Sequence, residues 1–349
     1  MDLEKARAFA GQVAQERVGA SLSLLNYVGD VLGLWRAMAG AGAVTSAELA
    51  ERTGLAERYV HEWLAGQAVA GHVVHEDGRF TLPDEHAAVL ADDESPFAQA
   101  GGLEVGAAMW LAADRIAEAF RTGGGVGWHE HDPRLFRGVS RFFAPLYRLS
   151  LVPQWLPALD GVVDRLVAGA RVLDMGCGYG TSTILMAQAY PASRFEGIDS
   201  HAASVEAAWA AANEAEVQDR VCFHVGEATE DMAGPWDLIC FFDALHDMGD
   251  PVAAAARARQ ALTPDGTVLV VEPYASDRLE DRIGNPIAMS YYTASTFLCV
   301  PNSLSQDSGL ALGAQAGESR MIKLLGDAGF SRVRLALTTD YNLIFEARP

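Results

Sequence analysis

The chain has 349 residues, half of them hydrophobic, which is more than one core comfortably holds and points to two domains. Its formal net charge of -20 argues against nucleic acid and anionic membrane surfaces, since both need a basic face. No apolar run approaches the roughly 18 residues of a membrane span, the N-terminus has no charged-then-apolar leader, and Cys177, Cys222, Cys240 and Cys299 form no CxxC pair, so the chain reads as cytoplasmic with reduced thiols.

Residues 1–155 read as helical and Ala-rich, and residues 156–349 as alternating strands and helices. In the first part, "TSAELAERTG" offers Thr45 or Ser46 as an N-cap with Glu48 behind it, and Gly54 ends the helix. "AERYVHEWLAGQAVAG" predicts a second helix with Val60, Trp63, Leu64 and Val69 on one face. "HVVHEDGRFTL" predicts a hairpin turning at Asp77-Gly78. Helix, turn, helix and hairpin make a winged helix. Between residues 45 and 85 three arginines stand against eight acids, so phosphate binding is not its expected work. Packing against another subunit and walling a pocket is.

"GGLEVGAAMWLAADRIAEAF" reads as a connecting helix, with Trp110, Tyr147 and Trp128 as aromatic candidates for the cap side of a pocket. "RTGGGVGWHEHDP" reads as a loop. His129, His131, Glu130 and Asp132 fall together in it, but no second cluster at ligand spacing supports a metal, and none is expected.

"ARVLDMGCGYGTSTILMAQAYP" predicts a strand, a glycine loop and a helix. Gly176, Gly178 and Gly180 let the backbone bend sharply and let a ligand approach it. The helix N-terminus behind them favours a carboxylate. Asp199 closes the next strand, "RFEGID", where a carboxylate can accept from ribose hydroxyls, with Ser200 beside it. The pattern D-x-G-x-G-x-G, opened by Asp174, resembles motif I of class I S-adenosylmethionine-dependent methyltransferases. "VCFHVGEA", "WDLICFFDALHD", "GTVLVVEP", "SRVRLALTT" and "NLIFEAR" are similar to the later strands of that family. The resemblance implies a Rossmann-like α/β sheet of seven strands with the last antiparallel, behind the helical winged-helix domain. It implies S-adenosylmethionine as cofactor and S-adenosylhomocysteine as product, held by Asp174, Gly176, Gly178, Gly180, Asp199, Ser200, Glu227, Ala228 and Asp243. The winged helix in front sharpens the resemblance to small-molecule O-methyltransferases of secondary metabolism and to an actinobacterial methyltransferase group, and with it implies a homodimer and a small, largely apolar acceptor methylated on oxygen or nitrogen.

"FFDALHDMGDP" places His246 just past the fourth strand of that sheet. In phenolic O-methyltransferases an HD pair there supplies the general base. His246-Asp247 corresponds to it, although Met248 stands where those enzymes have Trp. Glu272, at the end of the fifth strand, falls where they place the acid that orients the histidine, and Glu318 is the candidate for their second acid. Histidine titrates near neutrality and can take an acceptor's proton. The alternatives are an N- or C-methyltransferase in which His246 only shapes the pocket, and a non-catalytic regulator that binds the cofactor or its product. Asp247, Tyr291, Tyr292 and Phe297 are the substrate-side candidates. Asp250-Pro251 reads as an N-cap followed by Pro at the first helical position.

Overall fold

The computed structural model describes residues 1–229 and 234–349, and the chain divides into two compact units. One holds Met1–Ala108 and Arg137–Pro145, the other Met109–Phe136 and Leu146–Pro349. The chain thus crosses between units after Ala108, Phe136 and Pro145 instead of at a single linker.

The first unit contains α1 (Leu3–Val31), α2 (Leu34–Met38), α3 (Ser46–Thr53), α4 (Glu57–Val69), β1 (Val74–Glu76), β2 (Arg79–Thr81) and α5 (Asp84–Leu90). Thr45 caps α3: its hydroxyl accepts from the Glu48 amide, and the Glu48 carboxylate accepts from the Thr45 amide. Asp77 and Gly78 both take positive φ, 47° and 77°, as a two-residue hairpin turn of the primed kind requires. Trp35 and Trp63 meet edge to face at 4.6 Å in the core, with Val60 and Leu64 buried beside them. Val69, expected on that face, is 90% exposed. It lies nine residues beyond Val60, about two and a half turns, so it points the other way; Gln67 fills the buried face instead. On α1, Phe9, Val13, Val18, Leu24 and Val28 are exposed.

Helices α6 (Ala100–Thr122) and α7 (Arg134–Ser150) span the unit boundaries. The second unit continues with α8 (Val162–Ala168), β3 (Arg171–Met175), α9 (Thr181–Ala189), β4 (Arg194–Asp199), α10 (Ala202–Glu214), β5 (Val221–Val225) and β6 (Trp236–Phe242). It ends with α11 (Pro251–Ala261), β7 (Leu262–Pro273), α12 (Pro286–Ala294), α13 (Val300–Leu304), α14 (Glu318–Asp327), β8 (Arg332–Thr338) and β9 (Asn342–Arg348). The seven strands lie in the order β5-β4-β3-β6-β7-β9-β8, with β9 antiparallel to both of its neighbours. Leu173, Ile239, Phe241, Val268, Val270 and Phe345 are fully buried, and they share a core with alanines of α11 and Met321 and Leu325 of α14. Strands buried on both faces need such continuous apolar runs, and β6 has one.

The order reverses direction at β3 and β6, which are parallel neighbours. In an open α/β sheet the ligand crevice lies past the carboxyl ends of the strands at such a switch point. The glycine loop follows β3 and His246 follows β6, so topology brings the two sequence signals to one place.

Candidate active site

Gly176, Gly178 and Gly180 all take positive φ, at 75°, 53° and 76°. The first two are open to solvent in part. Asp199 holds this loop: its Oδ2 accepts from the Gly178 amide at 2.9 Å, and its Oδ1 from the His201 amide at 2.9 Å. A carboxylate offers about four acceptor positions. Two therefore stay available beside the glycines. Asp174 faces inward: it is buried, and its Oδ2 accepts from the Ser182 and Thr183 hydroxyls, each at 2.6 Å. Burial pushes its carboxyl up to about 6 even though the two hydroxyls pull it back down. Asp174 so placed braces the loop against α9. Ser200 is exposed past β4, and Glu227 and Ala228 lie just past β5.

Gly180 tests how tightly the loop is built. A Cβ there would sit 2.7 Å from the Phe223 ring, on a backbone at φ +76°. Gly180→Ala is expected to cost about 2–4 kcal/mol, from left-handed strain plus overpacking, read as a lowered melting temperature.

The loop of residues 123–132 lies beside this corner. The Phe136 ring sits 3.9 Å from the His201 ring and 5.8 Å from Trp128, whose amide donates to Asn302 Oδ1 at 2.9 Å. Glu130 and Asp132 accept from the amides of Gly127 and Arg134. His131 is buried, with neither ring nitrogen hydrogen-bonded among the described residues; burial, then the Arg115 charge, lowers its pKa. Trp110 is 65% exposed, whereas Tyr147 is buried between Trp155 and Phe242.

At the tip of β6, Asp243 adopts φ 48°, a conformation that L residues rarely take. Its amide donates to Val271 O at 2.8 Å and its Oδ1 accepts from Asn342 Nδ2 at 3.0 Å. Asn342, fully buried at the start of β9, also donates to the Glu272 carbonyl at 3.3 Å. Asn342 thus ties β6 to β7 where both end. Asp243 Oδ2 is buried without a hydrogen-bond partner among the described residues. Burial, then the Glu272 charge, pushes the Asp243 carboxyl well up, toward its protonated form.

His246 is 3% exposed, in the turn Leu245–Asp247. Its Nδ1 lies 2.6 Å from Glu272 Oε2, itself buried, and its Nε2 lies 3.3 Å from Asp247 Oδ1. Burial works against the imidazolium, but the Glu272 and Asp247 carboxylates outweigh it and raise the His246 pKa well above its ordinary value. Cys299 brings its thiol to the same nitrogen; burial, then Asp247, pushes that thiol up to about 12. Asp247 and Cys299, not Glu318, face Nε2: Glu318 is exposed in the first turn of α14. Asp250 caps α11, accepting from the Ala253 amide at 2.8 Å, with Pro251 behind it.

The substrate-side candidates divide. Tyr291 donates to the Tyr341 carbonyl at 2.9 Å, and its pKa is raised by burial and then by Asp243. The Tyr292 hydroxyl is taken by Arg282 at 2.6 Å, and Phe297 packs against the cluster of Ala112, Ile116 and Val126 on α6 and the loop after it. Sequence reasoning missed Asn342 and Cys299. A polar residue opening the otherwise apolar "NLIF" run of β9 was the available signal for the first.

Residues 166–301 match the family model of a methyltransferase domain, and residues 20–92 that of an Rv2258c-like winged HTH domain. This chain carries a methyltransferase domain behind a winged helix. The chain is 31% identical over 124 residues to trans-aconitate 2-methyltransferase of Deinococcus radiodurans, covering 36% of this chain and 46% of that protein. It is 36% identical over 118 residues to 27-O-demethylrifamycin SV methyltransferase of Amycolatopsis mediterranei, covering 31% and 43%. The chain therefore spans less than half the length of these curated relatives. Two solved structures align along nearly its whole length: mitomycin 7-O-methyltransferase (21% identical, TM-score 0.72, 99% of this chain and 100% of that one) and human N-acetylserotonin methyltransferase in complex with SAM (20%, 0.70, 97% of each). At that identity they establish the fold, winged helix included.

Proposed function

We propose that the protein is an S-adenosylmethionine-dependent methyltransferase acting on an oxygen of a small, largely apolar molecule, with His246 as general base. The observation that carries this reading is the buried 2.6 Å contact between His246 and Glu272 at the switch point, across the crevice from the glycine loop. The residues fit the cofactor. Asp199 keeps acceptor positions for ribose hydroxyls, Gly178 leaves room for close approach while Gly176 lets the loop pack against Ala244, and the Oδ2 of Asp243, without a partner among the described residues, suits the amino group of the methionyl end. Ser200, Glu227 and Ala228 would border the nucleoside. When bound, S-adenosylmethionine supplies a methyl carbon activated by a sulfonium and leaves as S-adenosylhomocysteine.

The chain's own part is to orient and deprotonate. Glu272 fixes the His246 ring with Nδ1–H toward itself, so the lone pair lies on Nε2. That nitrogen takes the acceptor's hydroxyl proton as the oxygen attacks, and Glu272 stabilises the imidazolium formed. Alignment of the reacting atoms supplies several kcal/mol more. Asp247 and Tyr291 stand on the acceptor side.

We further propose that residues 1–155 act as the dimerisation and pocket-capping part, with residues 156–349 carrying the chemistry. The exposed apolar side chains along α1 support a homodimer. No described helix is long and apolar enough to cross a membrane, and we read the protein as cytoplasmic. The test is transfer of labelled methyl from S-adenosylmethionine to a panel of phenols, carboxylic acids and amines. Phenol methylation supports the reading; methylation of amines alone, unaffected by His246→Ala, overturns the base and leaves His246 shaping the pocket.

A further inference from the structure

The nitrogen that faces the acceptor also faces two other ligand-type atoms. His246 Nε2, an Asp247 carboxylate oxygen and Cys299 Sγ all lie within 4.8 Å of one another. These come from the turn after β6 and from the helical turn Ser295–Cys299, which joins α12 to α13. Asn302 Nδ2 and Gln306 Nε2 both donate to the Asp247 carbonyl, and the Ser303 hydroxyl donates to the Met248 carbonyl, so the two segments are locked together.

We propose that His246, Asp247 and Cys299 form a binding site for a borderline-soft divalent cation such as Zn2+, and that the bound ion switches the base off. Three features point this way. First, a tetrahedral zinc ion with one nitrogen, one oxygen and one sulfur ligand separates them by roughly 3.4–3.6 Å. Nε2 and Asp247 Oδ1 already stand 3.3 Å apart, and the sulfur needs to close by no more than about 1.4 Å. Second, histidines that ligate metal almost always give their other ring N–H to a carboxylate, which sets the tautomer and raises ligand basicity. Glu272 does this at Nδ1, 2.6 Å away. Third, among the described residues the polar neighbours of the buried Asp247 Oδ1 are His246 Nε2, 3.3 Å away, and the Cys299 thiol, so the three ligand-type groups converge on one point. About a fifth of the Asp247 side chain is exposed, at 21%, which leaves a way in and a fourth position for water.

Binding forms metal–nitrogen, metal–oxygen and metal–sulfur bonds and releases the Cys299 thiol proton to solvent, with any proton carried on Nε2. The ion occupies the lone pair that a methyl acceptor's proton would need. The binding site stands on geometry alone; only its inhibitory effect rests on the base reading of His246.

The test is titration of the full-length protein with Co2+, followed by absorption. One equivalent is expected to give the visible bands of a tetrahedral ion and a thiolate-to-cobalt charge-transfer band in the near ultraviolet, displaced by Zn2+. Cys299→Ser abolishes the charge-transfer band. Glu272→Gln touches no ligand atom and weakens binding about 10- to 100-fold. Cys222→Ser is the control, because Cys222 Sγ lies 3.2 Å from His224 Nε2 at the sheet edge and is the competing soft pair. A band that never appears, that persists in Cys299→Ser, or that vanishes in Cys222→Ser overturns the site. None of these readouts needs methyl transfer, so a failure of the enzyme reading is seen separately.

Discussion

His246→Ala is expected to lower kcat for an acidic hydroxyl acceptor by about 10²- to 10⁴-fold, with affinity for S-adenosylhomocysteine unchanged. The reason is local. Nε2 is the basic atom placed just past the end of β6, and His246 is the imidazole of the turn Leu245–Asp247. Glu272→Gln should cost less, and the double substitution little more than His246→Ala alone, because the two residues act as a unit. The variant also strips a buried carboxylate of its partner. An uncompensated buried charge costs about 3–5 kcal/mol, so the melting temperature should fall too. His246→Gln keeps an amide that can donate toward Glu272 and separates the two effects: it restores part of the stability and none of the rate. Steady-state kinetics alongside thermal melts decide this.

The second large effect is at the cofactor. Asp199→Ala is expected to weaken S-adenosylhomocysteine binding by about 10²- to 10³-fold, measured calorimetrically. Hydrogen bonds to a charged group are worth about 1.5–3 kcal/mol each, and the two proposed to the ribose would be lost. The substitution also frees the Gly178 and His201 amides, which Asp199 ties down at 2.9 Å each. Asp174→Asn, by contrast, should act through stability first, since its Oδ2 is spent on Ser182 and Thr183. A far-ultraviolet spectrum unchanged from wild type shows that Asp199→Ala acts on binding.

The succession of strands and helices and the placement of the glycine loop were legible because their signals are local. A β-prone run, glycines at fixed offsets and a helix start all fall within "ARVLDMGCGYGTST". The positions of His246 and Glu272, just past or at the end of one apolar strand each, were legible for the same reason, whereas their pairing came from the family resemblance. What was hidden is long-range. Asn342 reaches Asp243 from 99 residues away, and Cys299 meets His246 through a helical insertion whose register no periodicity reveals. Val69 shows the opposite failure: a pattern on paper gave way to the helix period. Tyr291, Tyr292 and Phe297 were expected on the substrate side; Phe297 packs against α6, the Tyr292 hydroxyl is taken by Arg282, and Tyr291 feels the charge of Asp243.

The claim that His246 is a base held by Glu272 is tested most directly by the pH dependence of kcat/KM for wild type and Glu272→Gln. The base works only when neutral. The two carboxylates stabilise its charged form, so the wild-type rate should climb with pH through a range above the ordinary histidine value of about 6.5. Removing the Glu272 charge should move that limb to lower pH while lowering its plateau. An identical limb in both proteins, or a rate flat across it in the wild type, would contradict the account.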